Sequence, residues 1–394
     1  MISPKTWLTL AVITVVFGAL WFGQVAYFDA YTNQLTLREI GPVTTGYLSE
    51  NLQSAVSRPL VIRGAAKDIV IKPDQLAAWI EPHHRIFTNR VEFRANTQQI
   101  ENDLTDFAAS VGVQAIDARF GIASGSMMEV TPAQIGKRLD FKTSTQNIVQ
   151  AMAHNISEAM LVLTDVPPAL NLEKLAKAGI TAQLARGSSN FVGSPASRVH
   201  NIRTGASKFD HTFIQPGEEF SFNDRVGNID ASTGYLTGLV IKGTKLVPEY
   251  GGGLCQVSTT MFRAAALAGL AIIERRPHAL PVKYYNPQGF DATVYTGAAD
   301  LRFRNDTSAP ILIQTVIKGT EIAFEFYGSP DGRVTKLNGP IVYESNSDGS
   351  LKTLLTRTVT YPPPPYGSGE TKKDQFYSSY KSPALFETIR NPLE

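Results

Sequence analysis

The sequence predicts an α+β protein with four parts. These are an N-terminal transmembrane helix, a duplicated small α+β module, an α+β domain with one thiol-bearing helix against antiparallel strands, and a β- and Pro-rich C-terminal extension. Three observations predict it. Residues 7–28, WLTLAVITVVFGALWFGQVAYF, carry no charge over about the length that crosses a bilayer core as a helix. Beyond them, stretches with apolar residues at helical spacing alternate with short runs of strand character. Finally, the single cysteine of the 394 residues, Cys255, follows three glycines at the start of an Ala- and Leu-rich stretch.

The first part, residues 1–30, reads as a membrane anchor. Lys5 and the amino terminus precede the apolar run and Asp29 follows it, so the positive-inside rule places the bulk of the chain outside the cytoplasm. A cleaved signal peptide has a shorter apolar core ending in small residues, whereas this one ends in Val25-Ala26-Tyr27-Phe28. The expected location is therefore a single-pass cell-membrane protein, with the lipid bilayer as partner of the first helix. A net charge of +2 without a Lys/Arg run excludes a nucleic-acid footprint.

Residues 31–187 form the second part. Ile71-Lys72-Pro73-Asp74-Gln75-Leu76-Ala77 matches Val130-Thr131-Pro132-Ala133-Gln134-Ile135-Gly136, with Pro, Gln and an aliphatic in register. Each match is expected to open a helix, since Pro costs little at the first helical position. Helix-like stretches follow at Gln98–Val111 and Gln146–Met160, which together suggest a duplicated module. Residues 188–334 form the third part. It is expected to open with a helix over Ser197–Phe209. Strands are expected around Phe220–Phe222, Leu239–Ile241, Val282–Tyr285, Leu301–Phe303, Ile311–Val316 and Ile322–Phe326, with a strong helix over Cys255–Leu270. Residues 335–394 hold one or two strands around Lys352–Val359, then the stiff run Pro362–Pro365.

The chemistry concentrates in the third part. A thiol in the first turn of a helix meets unsatisfied N–H groups and the positive end of the macrodipole, and both favour thiolate. His278, in Arg275-Arg276-Pro277-His278-Ala279-Leu280-Pro281-Val282, and Asp291, in Gly289-Phe290-Asp291-Ala292-Thr293-Val294, follow it in an order that permits a Cys-His-Asp arrangement. The imidazole would take the thiol proton and the carboxylate would orient the ring. Asp300 is the alternative carboxylate. First-turn N–H groups after Gly253, with Gln256 as an extra donor, would hold an oxyanion. Ser258 and Thr259 would cap the helix or touch substrate. One cysteine and no His-Glu-x-x-His spacing leave no expected metal site, and no cofactor is implied. His83, His84 and His154 read as polar surface residues, and His200 and His211 as structural ones.

These blocks resemble the VanW family of bacterial cell-envelope proteins. To those already quoted, the resemblance adds Arg198-Val199-His200-Asn201-Ile202, Pro216-Gly217-Glu218-Glu219-Phe220-Ser221-Phe222-Asn223 and Gly251-Gly252-Gly253-Leu254-Cys255-Gln256-Val257-Ser258-Thr259-Thr260, and Lys372-Lys373-Asp374-Gln375-Phe376-Tyr377-Ser378-Ser379-Tyr380-Lys381 is similar to the family's C-terminal extension. It implies that residues 31–187 are a peptidoglycan-binding region. It also implies L,D-transpeptidase chemistry: Cys255 attacks a stem peptide, forms a thioester, and passes the acyl group to a neighbouring stem to make a 3–3 cross-link. The residues alone reach cysteine acyl transfer outside the membrane. A cell-wall peptidase, carboxypeptidase or amidase, and a non-catalytic envelope-binding protein linked to glycopeptide resistance, stay open as alternatives. One departure is Glu249-Tyr250 before the glycines, where a glycine is commoner. An inward-pointing Glu249 would oppose thiolate formation.

Overall fold

A computed structural model describes residues 56–64, 68–85, 90–242, 245–365 and 367–388. The described chain is mixed α+β and divides into two compact units. The first includes residues up to 116 together with 134–169, and the second comprises 117–133 and 170 onward. Among the described residues no helix is long and apolar enough to cross a membrane. This corrects the expected fold class, which included a transmembrane helix, and the single-pass membrane location and bilayer partner built on it. Residues 7–28, on which that expectation rested, lie outside the described residues.

In the first unit, Leu60–Arg63 is the centre of a three-stranded sheet, antiparallel to Ile69–Ile71 and parallel to Glu158–Met160. Two helices, Thr97–Val111 and Phe141–Ala153, bury Ile100, Leu104, Ile148 and Met152 against Ile62, Leu76 and Trp79. Each helix starts on a side-chain cap: Asn96 accepts from the Gln99 N–H and Asp140 from the Thr143 N–H. The second helix stops at Ala153, short of the expected Met160, because Asn155 turns to φ 52° and residues 158–160 join the sheet instead. The expected repeat is also corrected. Pro73 does open a short helix, Pro73–Ala78, but Pro132 opens none. Gln134 is held in a bridge to Ile116, and Gly136 lies so close to the Ala115 backbone that any side chain there would collide with it.

The second unit is built on an antiparallel sheet in the order Ala182–Asn190, Glu321–Gly328, Ile311–Lys318, Thr212–Ile214. The thiol helix, Leu254–Leu267, packs on the first two of these strands and on the helix Ala196–Ser207. Nearly every residue of the thiol helix is buried. Phe209 joins the core by packing against Phe220, Phe222 and Phe324. A smaller sheet pairs Arg302–Arg304 with Glu219–Ser221 and Ala271–Glu274. The hairpin Thr237–Lys242/Lys245–Tyr250 runs directly into the glycines before the thiol. The tail forms a meander of three strands, Val334–Ser345, Leu351–Thr360 and Thr371–Tyr380. Arg357 from this meander donates to the carbonyl of Leu270 at 2.8 Å, just past the end of the thiol helix, where cations suit the helix dipole. The expected strand at Val282–Tyr285 is instead a 3-10 turn, Lys283–Tyr285, whose backbone carbonyls at Tyr285 and Asn286 accept from Arg263 of the thiol helix.

Helix and sheet approach most closely at Gly187. A Cβ there would lie 2.2 Å from the Ala264 N and 2.6 Å from the Thr260 carbonyl, both backbone atoms that cannot swing away. Gly187→Ala is therefore expected to destabilise the protein by about 1–3 kcal/mol, the usual cost of overpacking. Denaturant titration followed by circular dichroism measures this, and an unchanged midpoint would show that helix and strand can separate without cost.

Candidate active site

The thiol helix begins at a glycine for two reasons. Gly253 sits at φ 118°, a conformation that a side chain makes costly. A Cβ would also lie 3.1 Å from Arg198 Cγ and 3.0 Å from Ile202 Cγ1. The turn is pinned from the neighbouring helix by Asn201, whose amide donates to the carbonyls of Leu236 (2.8 Å) and Gly252 (3.1 Å). In the first turn, the Leu254 and Gln256 N–H groups fold back onto the Gly251 and Gly253 carbonyls at 3.0 and 2.9 Å. The Cys255 N–H has no such carbonyl partner among the described residues.

Cys255 is half-buried, with its sulfur 3.5 Å from both the Thr293 hydroxyl and the Val294 carbonyl. His278 and Asp291 lie on loops that close over the helix. Asp291 Oδ2 accepts from the His278 backbone N–H at 2.9 Å and pairs with His278 Nδ1 at 2.5 Å. Its Oδ1 accepts from the Tyr380 hydroxyl at 2.5 Å and from Arg275 Nη2 at 3.2 Å. The carboxylate is wholly buried, and these bonds are what make its burial tolerable. Tyr285 stacks on the imidazole with ring centroids 4.4 Å apart. With Nδ1 held by Asp291, the other ring nitrogen, Nε2, is buried and has no hydrogen-bond partner among the described residues.

The electrostatics follow from this geometry. Burial alone would raise the Cys255 pKa, but the His278 imidazole opposes it, with smaller help from the Val294 backbone and Thr293, and the thiol is lowered to about 7. Burial alone would lower the His278 pKa, but Asp291 and then the thiol outweigh it, and the imidazole is raised to about 9. Asp291 is held well below the usual carboxylate range: its burial is outweighed by His278, Arg275 and Tyr380. Both shifts run in the direction of a thiolate beside an imidazolium. Glu249 is paired away from the thiol. Its carboxylate takes the Lys242 ammonium at 2.7 Å and the Tyr295 hydroxyl at 3.2 Å.

The other sequence-derived candidates lie elsewhere. Gln256 points into the core, where its amide donates to Ser189 Oγ at 3.1 Å. Ser258 and Thr259 are buried and bond the Ala292 backbone, which fixes the segment that carries Asp291. Asp300 accepts from Ser221 and the Asn223 N–H, far from the role of orienting His278. Among the described residues no cluster of His, Cys, Asp and Glu could hold a metal ion. Sequence reasoning missed Tyr380, Arg275 and Tyr285. Tyr380 lies well over a hundred positions beyond Cys255, and no local pattern marks it.

Cys255 and His278 line an open cavity of about 890 Å³, together with Arg198, Leu239, Tyr250 and Tyr284. That volume is within the usual range for a small-molecule or peptide site.

Two stretches of the chain are similar to known proteins. Residues 197–327 match the family described as VanW like protein, and residues 75–159 match the family described as "Putative peptidoglycan binding domain". The uncharacterized protein YoaR of Bacillus subtilis (strain 168) is 39% identical over 165 residues, covering 42% of this chain and 54% of that protein. The Vancomycin B-type resistance protein VanW of Enterococcus faecalis (strain ATCC 700802 / V583) is 32% identical over 160 residues, covering 39% of this chain and 58% of that protein. The chain thus spans a little over half the length of these relatives. No solved structure matches. The thiol, the imidazole and the carboxylate all lie inside the matched stretch, so residues 197–327 of this chain form a VanW-like domain.

Proposed function

We propose that this chain is an envelope cysteine acyltransferase acting on peptidoglycan stem peptides, an L,D-transpeptidase that forms 3–3 cross-links through a Cys255 thioester. The observation that carries it is geometric: Cys255 and His278 line one open cavity, with His278 Nδ1 held by a buried Asp291, and the thiol is pulled down and the imidazole up. The match of residues 75–159 to a peptidoglycan-binding family and a relative named for vancomycin resistance point to the cell wall as the substrate.

In this reading the thiolate attacks the carbonyl of the stem's diamino acid. The oxyanion draws on the free Cys255 N–H. His278 Nε2 gives its proton to the leaving amine, D-Ala departs, and the acyl group remains as a thioester. The side-chain amine of a second stem then attacks the thioester. His278 takes the amine's proton, the new amide forms and the thiolate is released. Asp291 keeps the proton on Nδ1 and stabilises the imidazolium; Tyr380 and Arg275 hold Asp291. These are positioning residues.

Cys255→Ala folds but forms no dimers joined through two diamino acids, as read by mass spectrometry of muropeptides. Shortened monomers alone from the wild type would make water the acceptor, and full activity of the variant would end the cysteine mechanism. The rate of alkylation by iodoacetamide rises with pH through an inflection near 7 and stays high, since it needs only thiolate. Peptide acylation instead falls again near 9 as the imidazolium is lost. In His278→Ala the alkylation inflection moves up, because burial then acts on the thiol opposed only by the smaller contributions of the Val294 backbone and Thr293. Tyr380→Phe lowers kcat by roughly 10-fold, the loss of one hydrogen bond to a charged group. It also moves the upper limb of the acylation profile, a change that a purely structural role would not produce.

A further inference from the structure

The cavity holds one charge that the Cys255–His278–Asp291 arrangement does not use. Arg198 stands in the first turn of the helix Ala196–Ser207, and its stem packs against Gly253, two positions before the nucleophile. Its guanidinium lies over the Tyr284 ring, 4.1 Å from the centroid, and Nη1 donates to Ser194 Oγ at 2.7 Å. It has no carboxylate partner among the described residues, which sets it apart from many of the surface arginines. Arg63, Arg94, Arg119, Arg186, Arg302 and Arg333, for example, are each paired with Asp or Glu. The acidic residue lining the same cavity, Glu249, is already matched by Lys242. His278, Asp291, Arg275 and the thiolate balance one another. Arg198 is therefore an uncompensated cation on the wall of a largely apolar cavity. It is held over an aromatic ring, its neutral partners are the Ser194 and Tyr285 hydroxyls, and five N–H donors leave it capacity for a further acceptor.

We propose that Arg198 is a carboxylate-binding subsite, recognising a free carboxylate on the acyl-donor peptide within about one residue of the carbonyl attacked by Cys255. The proposal rests on the acyl-transfer reading and adds the substrate class to it. A planar, fixed guanidinium fits a carboxylate with two parallel N–H···O bonds, a geometry that lysine cannot reproduce. Two sources carry that group in a stem tetrapeptide. One is the terminal carboxylate of the departing residue, and the other is the side-chain carboxylate of the diamino acid. Either is neutralised by amidation, so amidation at the recognised position would act as a specificity switch.

The test uses the full chain and a synthetic stem tetrapeptide in three forms: unmodified, amidated at the C-terminus, and amidated on the diamino-acid side chain. Binding to Cys255→Ala is read by calorimetry, which needs no chemistry. Acylation of the wild-type thiol is read by intact mass. One of the two amides is expected to bind roughly 10- to 100-fold more weakly than the unmodified peptide, the range for a charge-assisted hydrogen-bonded pair. Which amide does so identifies the source. Adding Arg198→Gln to the Cys255→Ala chain should weaken the unmodified peptide by the same factor and abolish discrimination between it and that amide. Arg198→Lys should recover only part of the loss. Equal binding of all three peptides, or a further loss on the amide in Arg198→Gln, would overturn the subsite. An Arg198→Gln chain whose thiol alkylates at the wild-type rate is correctly folded at the site. Carboxylate-dependent binding without any acylation of Cys255 would instead leave the subsite standing and remove the acyl-transfer reading.

Discussion

Everything at this site depends on one buried carboxylate. Asp291 has no access to water, and a bare charge in that position would be expelled or neutralised. It is retained because groups from two separate segments converge on its two oxygens: the Arg275 guanidinium with the His278 ring and N–H from one, and the Tyr380 hydroxyl from the other. The carboxylate in turn settles the tautomer and charge of the imidazole. The imidazole then settles the charge of the thiol. With Arg275 and His278 positive and Asp291 and Cys255 negative, the buried group closes near neutrality, the condition under which charges persist away from water.

The scaffold has the task of keeping that group in register. The thiol helix is buried along almost its whole length, so it cannot shift without disturbing the main core. Its polar residues serve the same end. Ser258 and Thr259 hold the Ala292 backbone, and Arg263 holds the carbonyls of Ser188, Tyr285, Asn286 and Phe290. The loops that carry His278, Asp291 and Tyr285 are therefore tied to the helix that carries the sulfur. Function-bearing loops on a rigid support are a common arrangement, and here the support is a single helix.

The C-terminal meander belongs to this machinery. Its last long strand delivers Tyr380 to Asp291 and also to the Gly289 N–H at 2.6 Å, while Phe376 packs edge-on against Phe262 of the thiol helix. Tyr380 lies beyond residue 327, where the VanW-like match ends. The matched region thus contains Cys255, His278 and Asp291 but not all of the groups that hold Asp291.

The sequence by itself determined the features that depend on local chemistry. Glycines running into an Ala- and Leu-rich stretch put Cys255 at a helix start, because a backbone free of Cβ readily takes the φ of Gly253, and the second half of the helix that follows is rich in strong helix formers. Apolar periodicity likewise placed the strands at 311–318 and 321–328 and the helix at 97–111. Tertiary structure decided whatever depends on a partner distant in the chain. It chose Asp291 over Asp300 to face His278, since both are short carboxylates beside strands and only packing tells them apart. It turned Gln256 into the core, brought Tyr380 to the carboxylate, and bent 283–285 into a 3-10 turn under Arg263. It also left Pro132 without a helix, because pairing at Gln134 and the tight approach at Gly136 overrode a motif that elsewhere starts one. Local propensity is weaker than a few long-range contacts, and those contacts are not written in any single stretch of residues.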